Sequence, residues 1–184
     1  LVIGWGEVGG ALGQVLAERG DIISIHDPAK GLETSDRPAV WDGQSLTRLA
    51  STYDWMHVCY PWHEDFAETT LSYWDRFMPK HTIVHSTVPV GTMARLYKEG
   101  VVSARQLRNN LTYSPGRGLH PNLARYMREF PKWFHCSRAE ETPHVEVMFH
   151  ACGMQTRRAF SFETLEWMKL IETTEYGYRI ALWQ

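Results

Sequence analysis

The chain has 184 residues, of which 43% are hydrophobic and eight are Trp, enough apolar matter for the core of one domain. Its formal net charge of −2 provides no overall basic field of the kind that draws nucleic acid. Nothing reads as a signal peptide or a membrane span, so a small-molecule partner is expected rather than nucleic acid or a membrane.

The first ten residues carry the strongest signal. Leu1-Val2-Ile3 reads as a short strand, and Gly4-x-Gly6-x-x-Gly9 follows it directly. Such a turn lets the backbone reverse tightly and lets a pyrophosphate approach a helix N-terminus, where N–H groups and the helix dipole favour an anion. A helical pattern follows at once (Ala11, Leu12, Val15, Leu16) and ends at Gly20. A second apolar run, Ile22–Ile25, leads to Asp27, about 20 residues on, where a dinucleotide site places a carboxylate against the adenosine ribose. Asp27 would repel a 2′-phosphate and no Arg follows it, although Lys30 is near, so NAD is favoured over NADP. Taken alone, Asp27-Pro28 could also simply open a turn; the complete strand–turn–helix–strand–Asp unit favours the cofactor, with Gly4, Gly6, Glu7, Val8, Gly9 and Asp27 as its binding residues.

Further along, a polar stretch holds Gly31, Pro38 and Gly43, and a short helix is predicted near Ser45–Ala50. Asp54–Pro61 reads as a buried strand closed by proline. His63–Phe77 has apolar residues at helical spacing (66, 67, 71, 74 and 77), and Pro79-Lys80 breaks it. Thr82–His85 is the next strand, and Met93–Lys98 a helix stopped by Gly100. Leu111–Tyr113 is a strand, followed by the loop Ser114–Pro121. Lys132–Cys136 is a strand, Thr142–Cys152 a helix stopped by Gly153, and Gln155–Phe160 a last strand. A long amphipathic helix then runs from Phe162 to the end. Strands and helices in this alternation specify a Rossmann-like, doubly wound, mainly parallel α/β sheet.

The remaining chemistry is sparse. Cys59, Cys136 and Cys152 form no CxxC pair and no zinc pattern, so free thiols in a reducing, cytoplasmic compartment are expected. His81 and His85 flank a strand, where residues four apart stand about 13 Å apart, so no metal site is expected there. Arg105, Arg108, Arg117, Arg125, Arg128 and Lys132 concentrate positive charge; solvated helix surface is the main expectation for them, and a hold on an anionic substrate the alternative. The chain starts inside a strand without Met and stops inside a helical pattern, as a fragment of a longer protein would.

Two stretches narrow the family. Ile83–Thr92, with Ser86-Thr87-Val88-Pro89-Val90-Gly91-Thr92, closely resembles the Ser-Thr-Val-Pro-Pro-Gly-Thr segment of the nucleotide-sugar dehydrogenases, the UDP-glucose and GDP-mannose dehydrogenase family. The opening through Gly20 resembles that family's first βα unit, and Cys59-Tyr60-Pro61 stands where the family has Pro-Thr-Pro. The resemblance implies an N-terminal NAD-binding domain over residues 1–160 and the start of a central dimerisation helix over 161–184, the substrate domain being absent. It adds Tyr60, Pro61, Ser86 and Thr87 to the cofactor residues. The alternative for Ser86-Thr87 is an ordinary strand-to-helix turn with a cap.

In Thr164-Leu165-Glu166-Trp167-Met168-Lys169 the family has Ala-Glu-x-x-Lys-x-x-x-Asn, and its Lys is catalytic; by resemblance Lys169 takes that place. The alternative is a surface Lys paired with Glu166 and Glu172. Three departures matter. The family's Asn is Thr173, its loop Glu is Gly116, and its nucleophilic Cys lies beyond this chain. Glu7 also stands where the family usually has Tyr. What remains is a single hydride transfer from a sugar alcohol to NAD, with Thr87, Lys169 and His120 as proton handlers. Two alternatives stay open: a two-electron dehydrogenase of the 6-phosphogluconate and hydroxyacid type, and an NAD-binding module without catalysis. The apolar face of helix 162–184 is expected to pack on its own domain or on a second copy, as a homodimer.

Overall fold

Short apolar runs between glycines and prolines become the strands of one sheet. The computed structural model describes residues 1–32, 39–41, 46–48, 53–102, 110–118 and 121–183. In chain order the strands are β1 (Val2–Ile3), β2 (Ile25–His26), β3 (Ala39–Trp41), β4 (Leu46–Arg48), β5 (Trp55–Val58), β6 (His81–Val84), β7 (Asn110–Tyr113), β8 (Lys132–Cys136) and β9 (Thr156–Arg158). The helices are α1 (Glu7–Arg19), α2 (Phe66–Phe77), α3 (Thr92–Val102), α4 (Leu123–Glu129), α5 (Thr142–Ala151) and α6 (Phe162–Leu182). Seven strands form the sheet in the order β2-β1-β5-β6-β7-β8-β9. Every neighbouring pair is parallel except β7 and β8. This is the expected Rossmann-like doubly wound α/β architecture.

Side chains alternate across the sheet, so neighbours along one strand enter different cores. Ile3, Met56, Val58, Val84, Leu111 and Tyr113 meet α2, α3 and Leu165 of α6 on one face. Val2, Ile83, Phe134 and Cys136 meet α1 and α5, with Leu123 and Met127 of α4, on the other. The first helix ends as its sequence implies: Gly20 adopts φ 94° and its N–H returns to Leu16 and Ala17.

Three expectations are corrected. Within the stretch read as a short helix near Ser45–Ala50, Leu46–Arg48 is a strand paired antiparallel with Ala39–Trp41; a helix that short lacks the hydrogen bonds to offset its nucleation. The third helix does not stop at Gly100 but runs through it to Val102, and a Cβ at Gly100 would stand 2.7 Å from the Trp74 ring. That glycine is there for close packing of α3 on α2. Lys132 is not on a solvated helix surface; it begins a buried strand at 3% exposure. Arg125 and Arg128 do lie on a helix, bonded to Glu129 and Glu18. Arg105 and Arg108 fall outside the described residues. Helix α4 was not anticipated, although Leu123 and Met127 stand four apart and both are buried.

Candidate functional site

The order β2-β1-β5 reverses direction of winding at β1, the point in such a sheet beyond whose strand ends ligands bind. Parallel pairing brings Gly4–Gly6, Asp27, Cys59–Pro61, His85–Thr92 and Ser114–Gly118 to that one edge. Strand β8 runs the other way, so its first residue, Lys132, reaches the same edge.

The three glycines of the turn differ in what surrounds them. Gly4 adopts φ 86°, and a Cβ on it would stand 2.6 Å from the Tyr60 backbone nitrogen. A Cβ on Gly9 would collide with the Gly4 carbonyl oxygen, so this glycine lets α1 press onto the turn. Around Gly6 nothing lies within 4 Å of the Cβ position, which leaves the approach to the helix N-terminus open. No side chain caps that N-terminus. Val8 is half-buried beside Gly6, and Glu7 is exposed in the first turn. These are the properties a pyrophosphate site needs.

Asp27 follows β2 and is already engaged, its carboxylate accepting from Trp5 N–H at 2.7 Å. Lys30 donates to the Trp5 carbonyl at 2.7 Å, so the peptide groups flanking Trp5 are held from both sides. Tyr60 turns its ring away into α2, its hydroxyl bonded to Thr70 at 2.5 Å, so it is the Tyr60 backbone that borders Gly4. Pro61 is exposed.

Ser86 is not a helix cap. Its hydroxyl donates to the Tyr60 carbonyl at 2.6 Å and ties the loop to β5. The N-terminus of α3 is served instead by Glu166 of α6, whose carboxylate accepts from Gly91 N–H at 2.7 Å and Met93 N–H at 2.8 Å. Thr87, between Ser86 and this anchor, is exposed.

Glu166 is therefore unavailable to Lys169, and Glu172 is bound by Arg117, with Nε at 2.8 Å and a second nitrogen at 2.7 Å. Of the alternative pairing with these two glutamates, Glu166 is taken up by the start of α3, while Glu172, shared with Arg117, still acts on Lys169 by its charge. Lys169 lines a cavity of about 390 Å³ between α6 and the loop after β7, with Pro115, Trp133, Leu165 and Met168 among its walls. Burial draws its ammonium below the ordinary lysine value, opposed by Glu172 and reinforced by Arg117. Thr173 donates its hydroxyl to the Lys169 carbonyl at 2.8 Å, within its own helix. Gly116 packs at 3.5 Å on Val8, measured from where its Cβ would be. His120 lies outside the described residues.

Beneath this edge lies a buried polar chain that the spacing of its histidines does not announce. His85 Nδ1 lies 2.9 Å from the Ser114 carbonyl, which can only accept, so the proton is on Nδ1 and the bare Nε2 accepts from His57 Nδ1 at 3.1 Å. Burial holds both imidazoles well below their usual value, which keeps them neutral. Lys132 donates to the same Ser114 carbonyl at 3.1 Å and to Pro115 at 3.2 Å. Burial, with Lys169 and Arg117 adding to it, pulls that ammonium down to about 7. The signal was present in the alternation Lys-Trp-Phe-His-Cys, which puts Lys132 on the inward side with Phe134 and Cys136.

All three cysteines are buried and unpaired, and burial pushes the Cys59 thiol up to about 12. None has the environment of a nucleophile. Among the described residues, no helix is long and apolar enough to cross a membrane.

No family model matches the sequence, and no curated protein matches it. Solved structures do match. A UDP-N-acetyl-mannosamine dehydrogenase from Staphylococcus aureus superimposes with TM-score 0.72 at 16% identity, over 98% of this chain and 52% of that one. A GDP-mannose dehydrogenase from Pseudomonas aeruginosa gives 0.70 at 13%, over 98% and 50%. A UDP-glucose dehydrogenase from the archaeon Pyrobaculum islandicum gives 0.64 at 14%, over 93% and 48%. The chain spans about half the length of these proteins. Over that half, its fold is the fold of the nucleotide-sugar dehydrogenases.

Proposed function

We propose that the chain is the NAD-binding part of an oxidoreductase that acts on an alcohol carbon of a small molecule. A nucleotide sugar is the substrate class that its similarity to the dehydrogenases above supports. The carrying observation is the glycine turn, in which Gly4 and Gly9 are required by packing while Gly6 borders open space. Gly6, Glu7, Val8 and Gly9 would face the pyrophosphate, Glu7 through its backbone with its carboxylate turned to solvent. Asp27 would hold the adenosine ribose and disfavour a 2′-phosphate, so NAD is proposed over NADP. Tyr60, Pro61, Ser86 and Thr87 would border the nicotinamide end.

Bound NAD supplies the hydride acceptor. The protein supplies position and proton handling. Lys169, half-buried on the cavity wall, can take or return the proton of a substrate hydroxyl, and burial lowers its basicity in the direction such an exchange needs. The Thr87 hydroxyl is exposed and can hold a substrate oxygen. His120 remains a proposed third proton handler on sequence grounds.

A single two-electron oxidation of the hydroxyacid-dehydrogenase kind is the second reading; Cys59, Cys136 and Cys152 are buried and take no part in either. A module that binds NAD without turnover also has specific support, since Gly116 offers no carboxylate and Thr173 spends its hydroxyl on its own helix. We further propose a cytoplasmic setting, from the unpaired thiols, and a division into a cofactor domain over 1–160 and the start of a central helix over 161–184. A homodimer through α6 follows from the exposed apolar residues along its outer half, among them Ile171, Tyr178, Leu182 and Trp183.

The deciding experiment has two steps. Calorimetry with NAD tests the cofactor, and a panel of UDP- and GDP-sugars followed by NADH absorbance tests the reaction. Turnover that disappears in Lys169→Ala supports the enzyme; binding without turnover supports the module; no NAD binding overturns both.

A further inference from the structure

Glu166 is fully buried, at 0% exposure, yet its nearest polar company is the backbone of another element. Both of its oxygens are occupied, one by Gly91 N–H at 2.7 Å and the other by Met93 N–H at 2.8 Å. An ionised carboxylate removed from water is costly unless such bonds offset the loss. Burial pushes the Glu166 carboxyl up and these two bonds oppose it, so α6 carries a buried carboxyl whose partners are Gly91, just before α3, and Met93 in its first turn. Three residues along α6 from Glu166, and so on an adjoining part of its surface, is Lys169, which lines the cavity beside Pro115 and Trp133.

The segment between Ser86 and Gly91 is held at its other end as well. Ser86 Oγ donates to the Tyr60 carbonyl at 2.6 Å, and the Tyr113 hydroxyl donates to the Ser86 carbonyl at 3.3 Å. One end of the segment therefore belongs to the sheet and the other to α6, while Thr87 stays exposed between them.

We propose that Glu166 is a positioning residue: by holding Gly91 and Met93 from α6, it sets the Ser86–Thr92 segment, and Thr87 with it, in fixed relation to Lys169. The role rests on the functional reading above for its catalytic meaning, but not for its geometry. A carboxylate is needed because one group must accept from two backbone donors at once. A carboxamide has one acceptor oxygen, and its NH₂ would face the second N–H.

The test uses the full chain and Glu166→Gln, which keeps shape and removes one acceptor. Three readouts are taken together: amide exchange at residues 86–93, the titration of Lys169 by NMR with isotope-labelled lysine, and thermal stability. The expected result is exchange at Gly91 and Met93 at least tenfold faster, with the faster exchange spreading to Thr87 and Val88. Lys169 should titrate closer to the ordinary lysine value as its wall loosens. Direct loss of a neighbouring negative charge would move Lys169 the opposite way, so the sign separates positioning from simple electrostatics. A fall in stability alone, with Lys169 and the 86–90 amides unchanged, would overturn the proposal.

If Glu166→Gln fails to fold, native-state exchange of the unaltered chain decides. The amides of Gly91, Met93 and residues 165–169 should open as one unit with the same denaturant dependence; opening of α6 that leaves Gly91 and Met93 protected would overturn the role. Where turnover is found, kcat should fall at least tenfold in Glu166→Gln, with any weakening of NAD binding confined to what the loosened Ser86–Thr87 border explains. Absence of NAD binding in the unaltered chain would defeat the functional reading, while the amide and lysine readouts would still decide the role of Glu166.

Discussion

Lys132 and His85 share one acceptor, the carbonyl oxygen of Ser114, at 3.1 and 2.9 Å. The ammonium lies against the Ser114 and Pro115 carbonyls and the Phe149 ring, 5.9 Å from its centre. The loop from Ser114 to Arg117 is thereby held from beneath by a charge that burial makes easy to lose.

That loss sets a pH dependence. The folded value for Lys132 is about 7 against an ordinary 10.5, so between the two the unfolded chain holds a proton that the folded chain has shed. Protonated Lys132 costs the fold most below that window; the cost is relieved as pH rises across it, by up to about 1.4 kcal/mol per pH unit, and the dependence fades below its lower end. Denaturant midpoints at pH 7 and pH 9 should increase in the unaltered chain. In Lys132→Met this part of the increase should vanish.

The glycine turn makes a paired prediction. Gly6→Ala meets no atom within 4 Å, so stability should be nearly unchanged while NAD affinity falls by about tenfold or more, because the methyl group occupies the approach. Gly9→Ala meets the Gly4 carbonyl, and backbone cannot move aside cheaply; stability should fall by about 1–3 kcal/mol. Calorimetry and thermal melts on the two variants distinguish a cofactor cradle from a merely tight turn.

Asp27→Ala should weaken NAD binding by about ten- to a hundredfold, the loss of one charge-assisted hydrogen bond. The carboxylate also accepts from Trp5 N–H, so a part of this loss will come from a slackened turn. Asp27→Asn, which keeps an acceptor, should recover some of the affinity in the same titration.

How much of this could be read from the residues alone depends on what kind of rule applies. The glycine turn, Asp27 and the parallel strands obey local rules, in which spacing along the chain fixes spacing in the fold. Lys132 does not. Counting charges assigns a lysine to solvent by type, and only the inward alternation of β8 shows otherwise. The antiparallel direction of β8 and the pairing of His57 with His85 depend on sheet order, which no short stretch encodes. Glu166 was legible as a motif residue, but its partners on α3 are 73 and 75 residues away in the chain, and only the fold joins them.

The outer half of α6 is open to a direct physical test. From Thr173 to Trp183 every residue is exposed, including Trp183 at 91%. A helix this bare is marginal in water without packing. Light scattering should report a dimer, and Ile180→Glu with Leu182→Glu should yield a monomer of lower helicity. A strict monomer for the unaltered chain would remove the idea.

Trp5 sits between the first two glycines of the turn with its indole laid over Gly13 of α1, where any Cβ would collide with the ring. An indole clamped there is a built-in optical gauge. Its emission is set by one helix face and by whatever approaches the turn beside it, and a Trp5→Phe difference spectrum would isolate its signal from the other seven tryptophans. Occupancy of the turn can then be followed by light alone, without a label or a reaction.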